Sequence, residues 1–516
     1  MSNNRSIAVG IDLGTSTIKA VFIDTATCEI ITTQTEDVHP VKTENPDWVE
    51  YDPMDWWKGT LRLLKKGYEA GVDPSRIAGV AFTGWICMAL FSDENGVPVT
   101  NAVHYTDMRH MSVLDELETL VGKQCVEKNA NYLGMYSGMV KQYWWKKNRP
   151  EVFAKARRVH TEASWMIKKL TGIDAWNRPE AGFYSLYDFK TRDWDDEIID
   201  AIGFDRELFP KLYDAWEIVG GVSEEAAELT GLVVGTSVVA GADDGSPVAL
   251  ATGVIEIGQS FMSSASGANL VANTAEPVSH PTIITFTHCI PGLISSQTVM
   301  SSTGASNKWV RDALCQAETA VAEITGGETF DYMNQAVKNA SPGSGGVIFL
   351  PYLSGEFTPH GDSDARGCFI GIGSGTTKAD MLRAVLEGVA FAILDNIMLI
   401  RDVGGKLDEI IITGGLTKSD IWMQIIADVT GCALSLTEET EGSPFGGALL
   451  AGIGVGLFES YEDAVSKMVR INRNAYLPTP ENTKLYANIF KVYQSLYPAL
   501  KDVFTNLGTL RGQYFG

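Results

Sequence analysis

The stretch that most restricts the fold runs from Val9 to Asp24 and reads VGIDLGTSTIKAVFID. Apolar residues alternate with small or polar ones on both sides of the polar segment Gly14 to Thr17, which predicts two strands joined by a tight turn. The stretch matches neither a P-loop nor a G-x-G-x-x-G turn, both of which lead into a helix. The chain therefore places a β-hairpin where the common nucleotide-binding folds place a strand-to-helix turn.

Asp12 ends the first of these strands, two residues before Gly14. Glycine lets backbone amides approach an anion closely, and Thr15 and Ser16 add hydroxyl donors. Asp12 would repel a bare phosphate, but Mg²⁺ between the two would bind both, because it prefers oxygen ligands and often sits beside phosphates. An ordinary hairpin turn, in which Asp and Gly only shape the backbone, remains the alternative.

The bulk properties limit the class of protein. A length of 516 residues predicts two domains, with a boundary expected near residue 250 that gives units 1–250 and 251–516. Lys and Arg number 41 against 64 Asp and Glu, and this negative charge argues against nucleic acid or an anionic membrane as partner. The start MSNNRS lacks the apolar core of a signal peptide, and seven scattered cysteines suit reduced thiols, so a cytoplasmic protein is expected.

Strand and helix patterns alternate along the chain, which predicts an α/β fold. A helix is predicted around 55–70, and an apolar strand, IAGVAFTG, ends at Gly84. Near 258–272, GQSFMSSASGANLVA again places a hydroxyl-rich turn between apolar segments and resembles a distant repeat of the first hairpin. Two α/β modules, each opening with such a hairpin, would face each other across a cleft.

The second module continues with a long helical pattern from 378, the strand LDEIIITGG at 407–415 and another helix. Thr417 stands three residues before Asp420 and predicts a capping box at the start of that helix. Gly431 predicts its end.

Three longer segments carry a resemblance to a known family: SGMVKQYWWKKNRP at 137–150, PYLSGEFTPHGDSDARG at 351–367 and GCFIGIGSGTTKADMLRAVLE at 367–387. Together with the hairpins, and in this order, they resemble the signatures of the FGGY carbohydrate kinases. The likeness runs from Ile7 to about Phe458. It implies an α/β fold of two ribonuclease H-like domains of the actin/hexokinase superfamily, facing a central cleft.

The resemblance also implies a nucleotide site for ATP and Mg²⁺. It places Asp12 near the metal, and it places the segments SASG and TGGL near the second phosphate contact and the adenosine. Ser264 and Ala265 depart from the usual Gly-Thr pair, and the Gly-Gly turn also suits a plain strand-to-helix connection. The implied phosphate-binding residues are Gly14, Thr15, Ser16, Lys19, Ser266 and Gly267, and the implied adenosine-binding residues are Gly414, Gly415, Leu416 and Ser419.

The resemblance places the catalytic residue at Asp243, after a strand and facing the cleft. A sugar hydroxyl is a poor nucleophile, and a carboxylate would position it and accept its proton during phosphoryl transfer. Asp244 is the fallback and is expected to point elsewhere, because consecutive residues of a strand alternate in direction. Acids in GADDGSP also act as turn formers.

The sugar pocket is expected in the segments TGWICMALF at 83–91 and HYTDMR at 104–109. The tryptophan either stacks on a sugar face or fills the core. The residues that the resemblance implies for substrate binding are Trp85, Ile86, Cys87, Asp107, Arg109 and Asp243.

The function implied is transfer of the γ-phosphate of ATP, with Mg²⁺, to a hydroxyl of a sugar, a ketopentose such as xylulose being favoured. Glycerol, another polyol, a sugar acid or a signalling sugar remain alternative substrates. A non-catalytic sugar and ATP sensor and an actin-like ATPase remain alternative classes. The expected partners are the sugar or polyol and ATP, without nucleic acid or membrane, and a homodimer is an open option.

Overall fold

A computed structural model describes residues 5–405, 407–439 and 441–514. Its strands are β1 (Ile7–Leu13), β2 (Thr17–Asp24), β3 (Glu29–Asp37), β4 (Glu50–Tyr51), β5 (Ile77–Gly84), β6 (Leu90–Ser92), β7 (Ala102–Val103), β8 (Arg158–His160), β9 (Trp176–Asn177), β10 (Tyr187–Asp188), β11 (Asp193–Trp194), β12 (Leu212–Tyr213), β13 (Ile218–Gly221), β14 (Ser237–Val239), β15 (Ala242–Asp243), β16 (Ser260–Ser264), β17 (Ala268–Thr274), β18 (Ile284–Thr287), β19 (Ile294–Met300), β20 (Ile348–Leu350), β21 (Cys368–Ile370), β22 (Glu409–Gly414), β23 (Ala433–Thr437) and β24 (Ile471–Tyr476).

The α-helices connect and cover these strands. They are α1 (Pro53–Glu69), α2 (Leu114–Leu117), α3 (Lys123–Asn129), α4 (Gly138–Asn148), α5 (Pro150–Phe153), α6 (Glu162–Thr171), α7 (Arg178–Gly182), α8 (Asp196–Ala201), α9 (Glu224–Thr230), α10 (Ser246–Ala251), α11 (Gly304–Leu314), α12 (Gln316–Thr325), α13 (Thr329–Lys338), α14 (Lys378–Asp402), α15 (Asp420–Thr430), α16 (Ser443–Gly454), α17 (Tyr461–Met468) and α18 (Pro480–Tyr514). In the part of the chain described, no helix is long and apolar enough to cross a membrane.

The first sheet has the order β13-β14-β5-β1-β2-β3, with β15 also paired to β5. The predicted hairpin is confirmed: β1 and β2 pair antiparallel, and Asp12 lies opposite Lys19. β1, β14 and β15 each run parallel to β5. The carboxyl ends of three parallel strands therefore meet at one edge, where Leu13, Gly84 and Asp243 lie.

The second sheet repeats this arrangement with the order β18-β19-β17-β16-β22-β23-β24. β16 and β17 form the second predicted hairpin, and β16, β22 and β23 run parallel. The predicted α/β fold of two modules facing a cleft is confirmed, and the hairpin in each explains why the two segments resemble each other.

Helix α16 lies against the first sheet although it belongs to the second half of the chain. A Cβ on Gly10 of β1 would collide with the backbone of Pro444 and Ala448, so glycine is needed for this close approach. Segments on both sides of residue 250 thus build the layer next to β1. The division at residue 250 stays a prediction.

The predicted capping box at α15 is wrong by two residues. Residues 415–418 form a short 3₁₀ turn, and the Thr417 hydroxyl donates to the Gly414 carbonyl at 2.7 Å. Ser419 caps the helix instead and accepts from the Trp422 amide. The predicted stop at Gly431 is confirmed, because this residue adopts the left-handed conformation, φ 68°.

Candidate active site

Asp12 lies where β1 ends, beside Thr83 of β5. The Thr83 hydroxyl donates to its Oδ1 at 2.8 Å, and the Ser443 hydroxyl at the start of α16 lies 2.8 Å from that of Thr83. Burial raises the pKa of Asp12, although hydrogen bonds from Thr83 and Ser443 and the charge of Lys19 oppose the rise. This partly exposed carboxyl group is thus held in one orientation and would gain from a cation beside it.

The turn between β1 and β2 brings the predicted phosphate-binding residues to the surface beside Asp12. The Gly14 amide donates to the Thr17 carbonyl at 3.0 Å, and the Thr15 carbonyl accepts from the Tyr51 hydroxyl at 2.8 Å. The Ser16 side chain is exposed. The fourth predicted residue is engaged elsewhere: the Lys19 ammonium forms an ion pair with Glu441 at 2.9 Å.

The side chains of Asp243 and Asp244 lie in different environments. Asp243 is fully buried, and its carboxyl accepts from the Gly245 and Ser246 amides, both at 2.8 Å, and from the Ser246 hydroxyl. Asp244 is exposed and lines the cavity between the two sheets. The expectation that Asp243 faces the cleft and Asp244 points elsewhere is therefore corrected. β15 ends at Asp243, whose carboxyl turns back to the amides of Gly245 and Ser246, whereas Asp244 follows the strand and reaches the cavity.

The cavity has a volume of about 270 Å³ and receives side chains from both halves of the chain. Among the described residues that line it, Asp244 is the only charged one. The first half supplies an aromatic wall, and strands of the second sheet supply Ser263, Asn269 and Gln297. The other lining residues are Trp85, Ile86, Tyr105, Tyr136, Phe183, Gly245, Val248, Phe261, Val271, Ile284 and Val299.

Two of the predicted substrate residues, Trp85 and Ile86, line this cavity. Trp85 is also 2% exposed and packs edge-on against His104, with ring centroids 4.7 Å apart. Trp85 therefore both packs in the core and lines the cavity. Both expectations for this tryptophan are compatible with the structure.

The structure does not bring the remaining predicted substrate residues to the cavity. Cys87 is fully buried, and burial raises the pKa of its thiol to about 12. Asp107 and Arg109 form an ion pair at 2.7 Å, and Arg109 also pairs with Glu50 at 2.8 Å and stacks on Trp48 at 3.8 Å. These ion pairs hold loops of the first domain together, and a role of Asp107 and Arg109 in substrate binding stays a prediction.

The second hairpin turn shapes another cavity, of about 750 Å³, at the start of α11. The Ser266 carbonyl accepts from the Thr303 and Ala305 amides, both at 2.9 Å, while its side chain is exposed. A Cβ on Gly267 would come within 2.5 Å of the Met300 carbonyl. Ser264 has an internal role, because its hydroxyl donates to the Thr413 carbonyl at 2.9 Å.

The predicted adenosine turn lies at the same edge, because Ser264 of β16 pairs with Gly414 of β22. Gly414 has φ 93°, and a Cβ there would collide with the Ser264 carbonyl. Gly415 is exposed, whereas Leu416 is buried and donates its amide to the Ser264 hydroxyl at 3.1 Å. Ser419 caps α15 and donates to Asn334 at 3.0 Å. The two glycines thus provide the open backbone, and the other two residues support it.

Two residues at these sites, Lys308 and Ser443, were not predicted from the sequence. Lys308 lines the cavity beside Ser266, and Ser443 orients the Asp12 network. Lys308 follows a Gly-Ala-Ser-Asn segment with no motif of its own. The Gly-Ser-Pro segment before α16 is a recognisable helix start, but its distance of 431 positions from Asp12 gave no sign of contact.

Comparison with known proteins agrees with this geometry. Residues 7–251 match the model of the N-terminal domain, and residues 265–455 that of the C-terminal domain, of the FGGY family of carbohydrate kinases. The chain therefore belongs to the FGGY family and is a carbohydrate kinase, as its motifs indicated.

Individual relatives have low sequence identity to this chain. A xylulose kinase of Staphylococcus epidermidis is 27% identical over 511 residues, covering 98% of this chain and 99% of the relative. An autoinducer-2 kinase of Escherichia coli K12 is also 27% identical, covering 96% of this chain and 95% of the relative. The crystal structure of xylulose kinase from Rhodospirillum rubrum, 24% identical, superimposes with a TM-score of 0.88 and covers 97% of this chain and 100% of that one. Its likeness shows the shared fold.

Proposed function

We propose that this chain transfers the γ-phosphoryl group of ATP to a hydroxyl of a neutral sugar, a ketopentose such as xylulose, held in the cavity between the two sheets. The observation that carries the proposal is the position of Asp244, the one charged side chain among the described lining residues, at the carboxyl end of the first sheet's parallel strands. The similarity to xylulose kinases supports the choice of sugar.

Asp244 would act as the base. Its side chain is open to the cavity, but the cavity lies deep between two sheets, and this burial raises the pKa of Asp244, with further contributions from the charges of Asp243 and Asp12. A carboxylate with a raised pKa is a better proton acceptor than an ordinary one. It would take the proton of the reacting hydroxyl while the aromatic side chain of Trp85 limits the orientations of the sugar.

The nucleotide would lie along the two hairpin turns. The backbone and hydroxyls at Gly14, Thr15 and Ser16 would contact the terminal phosphates, and Ser266 would contact them from the other domain. The open backbone at Gly414 and Gly415 would accept the adenosine. Closure of the domains would exclude water and limit wasteful hydrolysis.

The residues present fit Mg²⁺. Among the described residues no group of three or more His, Cys, Asp or Glu side chains could hold a metal ion. This suits Mg²⁺, which keeps several waters and usually binds one or two carboxylates together with substrate phosphates. Asp12 would supply that carboxylate. When bound, the ion neutralises charge on the phosphate oxygens.

The residues that line the cavity also bear on the choice among the alternative substrates. A sugar acid would bring its carboxylate beside Asp244 with no cation among the described lining residues to offset it, which disfavours this class. The autoinducer-2 kinases are as similar to the chain as the xylulose kinases, so a signalling sugar is the second candidate.

The test is ADP release measured with xylulose, glycerol, gluconate and autoinducer-2 as acceptors. We expect the highest kcat/KM with xylulose and no turnover of gluconate. Binding of a sugar without ADP release would point to a sensor instead. Release that is independent of any sugar would point to an ATPase, and either result would refute the proposal.

A further inference from the structure

The cavity between the two sheets is lined by one face of the second sheet as well as by the first domain. Ser263 of β16 lies opposite Asn269 of β17, next to the second hairpin turn. Two residues further from this turn, Gln297 of β19 lies opposite both Val271 of β17 and Ile284 of β18. Residues two apart along a strand share one face of the sheet, so the lining forms two rows across the strands. We call them the near row, Ser263, Asn269 and Val299, and the far row, Phe261, Val271, Ile284 and Gln297.

Gln297 is the one polar member of the far row, and its amide is unpaired. Among the described residues, this partly exposed side chain has no hydrogen-bond partner. By contrast, Asn273 of β17, which lies outside the lining of the cavity, donates its side-chain amide to the Val254 carbonyl at 3.1 Å. Polar groups set among apolar neighbours are normally hydrogen-bonded. The partner of the Gln297 amide must therefore come from what the cavity holds.

The Gln297 amide also lies next to the turn that follows Asp244. A Cβ on Gly245 would lie 3.8 Å from Gln297 Oε1. The terminal phosphate would approach from the near row, because Ser266 lies in the hairpin turn that adjoins this row. A sugar whose reacting hydroxyl meets the phosphate there would extend its other end towards Gln297. This step rests on the proposed function.

We propose that Gln297 binds the hydroxyketone end of a ketose, so that the hydroxyl at the opposite end of the sugar chain reacts. A carboxamide offers two N–H donors and a carbonyl acceptor. Nε2 would donate to the ketone oxygen of the sugar, and Oε1 would accept from the neighbouring hydroxyl. An alditol carries a hydroxyl in place of the ketone, and the apolar side chains around Gln297 offer no acceptor for its proton. The far row thus selects a ketose over the corresponding alditol.

The test compares ADP release with xylulose, with 1-deoxyxylulose, which lacks the hydroxyl beside the ketone, and with xylitol, which lacks the ketone. We expect kcat/KM of the unmodified protein to be at least about tenfold higher with xylulose than with either analogue. Gln297→Met keeps the length of the side chain but cannot hydrogen-bond. It should lower kcat/KM for xylulose about tenfold or more and abolish the preference. Gln297→Glu keeps the acceptor and loses the donor, so it should shift the ratio of the two rates towards xylitol.

Gln124→Met, at an exposed position of α3 outside the cavity lining, is the matched control and should keep the preference for xylulose. The Kd for ATP, measured without sugar, should be the same in all variants and verifies that they are folded. An equal fall of kcat/KM with all three acceptors would show a structural role and overturn the inference. So would an undiminished preference in Gln297→Met, and both results leave the proposed function standing. No ADP release with any sugar would refute the proposed function itself, and the inference with it.

Discussion

Replacing each of the adjacent acids Asp243 and Asp244 by asparagine is expected to produce opposite effects. Asp244→Asn should lower kcat about a hundredfold or more, the usual range for loss of a general base. Asp243→Asn should leave kcat within a few-fold, because its carboxyl is fully buried and bonded to Gly245 and Ser246. Its effect should appear in stability instead.

The size of that stability effect follows from the pKa. Burial raises the pKa of Asp243 from 3.8 to about 6, in spite of its hydrogen bonds. Since the folded value exceeds the unfolded one, the stabilisation is complete below about pH 3.8 and is lost as the pH rises through about 6. The loss amounts to about 3 kcal/mol.

An asparagine at position 243 would imitate the protonated acid. Its Oδ1 can accept from the two backbone amides, and its Nδ2 can donate to the Ser246 hydroxyl. Asp243→Asn should therefore match the stability of the unmodified protein near about pH 4 and exceed it by about 3 kcal/mol near about pH 8.

Urea unfolding across this pH range, with ADP release measured in parallel, tests both halves of the prediction. The exposed Asp200→Asn on α8 is the matched control and should change neither quantity. A stability difference that does not vary with pH would show that Asp243 is not held against ionisation by burial. Loss of activity in Asp243→Asn, with Asp244→Asn active, would show that the base is Asp243.

Three further predictions concern the nucleotide site and the cleft. Asp12→Ala should lower Mg²⁺-dependent turnover by orders of magnitude while the hairpin survives, and a folded variant with unchanged Mg²⁺ dependence would exclude this role. Gly414→Ala should both destabilise the protein, by about 1–3 kcal/mol for the strained positive φ, and raise KM for ATP; an unchanged melting temperature and KM would contradict the close approach to Ser264. Saturation with sugar and ATP together should compact the molecule, and small-angle scattering that shows no change in radius of gyration would count against cleft closure.

Structural features that depend on the local periodicity of the sequence were predicted correctly. The two hairpins and the strand ending at Gly84 follow from alternation, and the start of α14 follows from helical periodicity; the structure has all of them. The cap of α15 was misplaced because Thr417 and Ser419 are both able to cap. The Thr417 hydroxyl instead donates to the Gly414 carbonyl within a 3₁₀ turn, and no pattern in the sequence shows this turn.

The candidate site also depends on the direction in which the side chain at the end of each strand points. Hydrophobic periodicity in the sequence does not determine that direction. Alternation predicts that Asp243 and Asp244 point to opposite sides, but it does not say that the Asp243 carboxyl bonds to the turn after β15 and leaves Asp244 at the cavity. The same limit applies to Arg109, which the resemblance places at the sugar and which pairs with Asp107 and Glu50 within its own domain. The two acids differ in how far their carboxyl groups are open to the cavity. The Asp244 side chain is exposed at the cavity, whereas the buried Asp243 carboxyl accepts from three donors of its own turn.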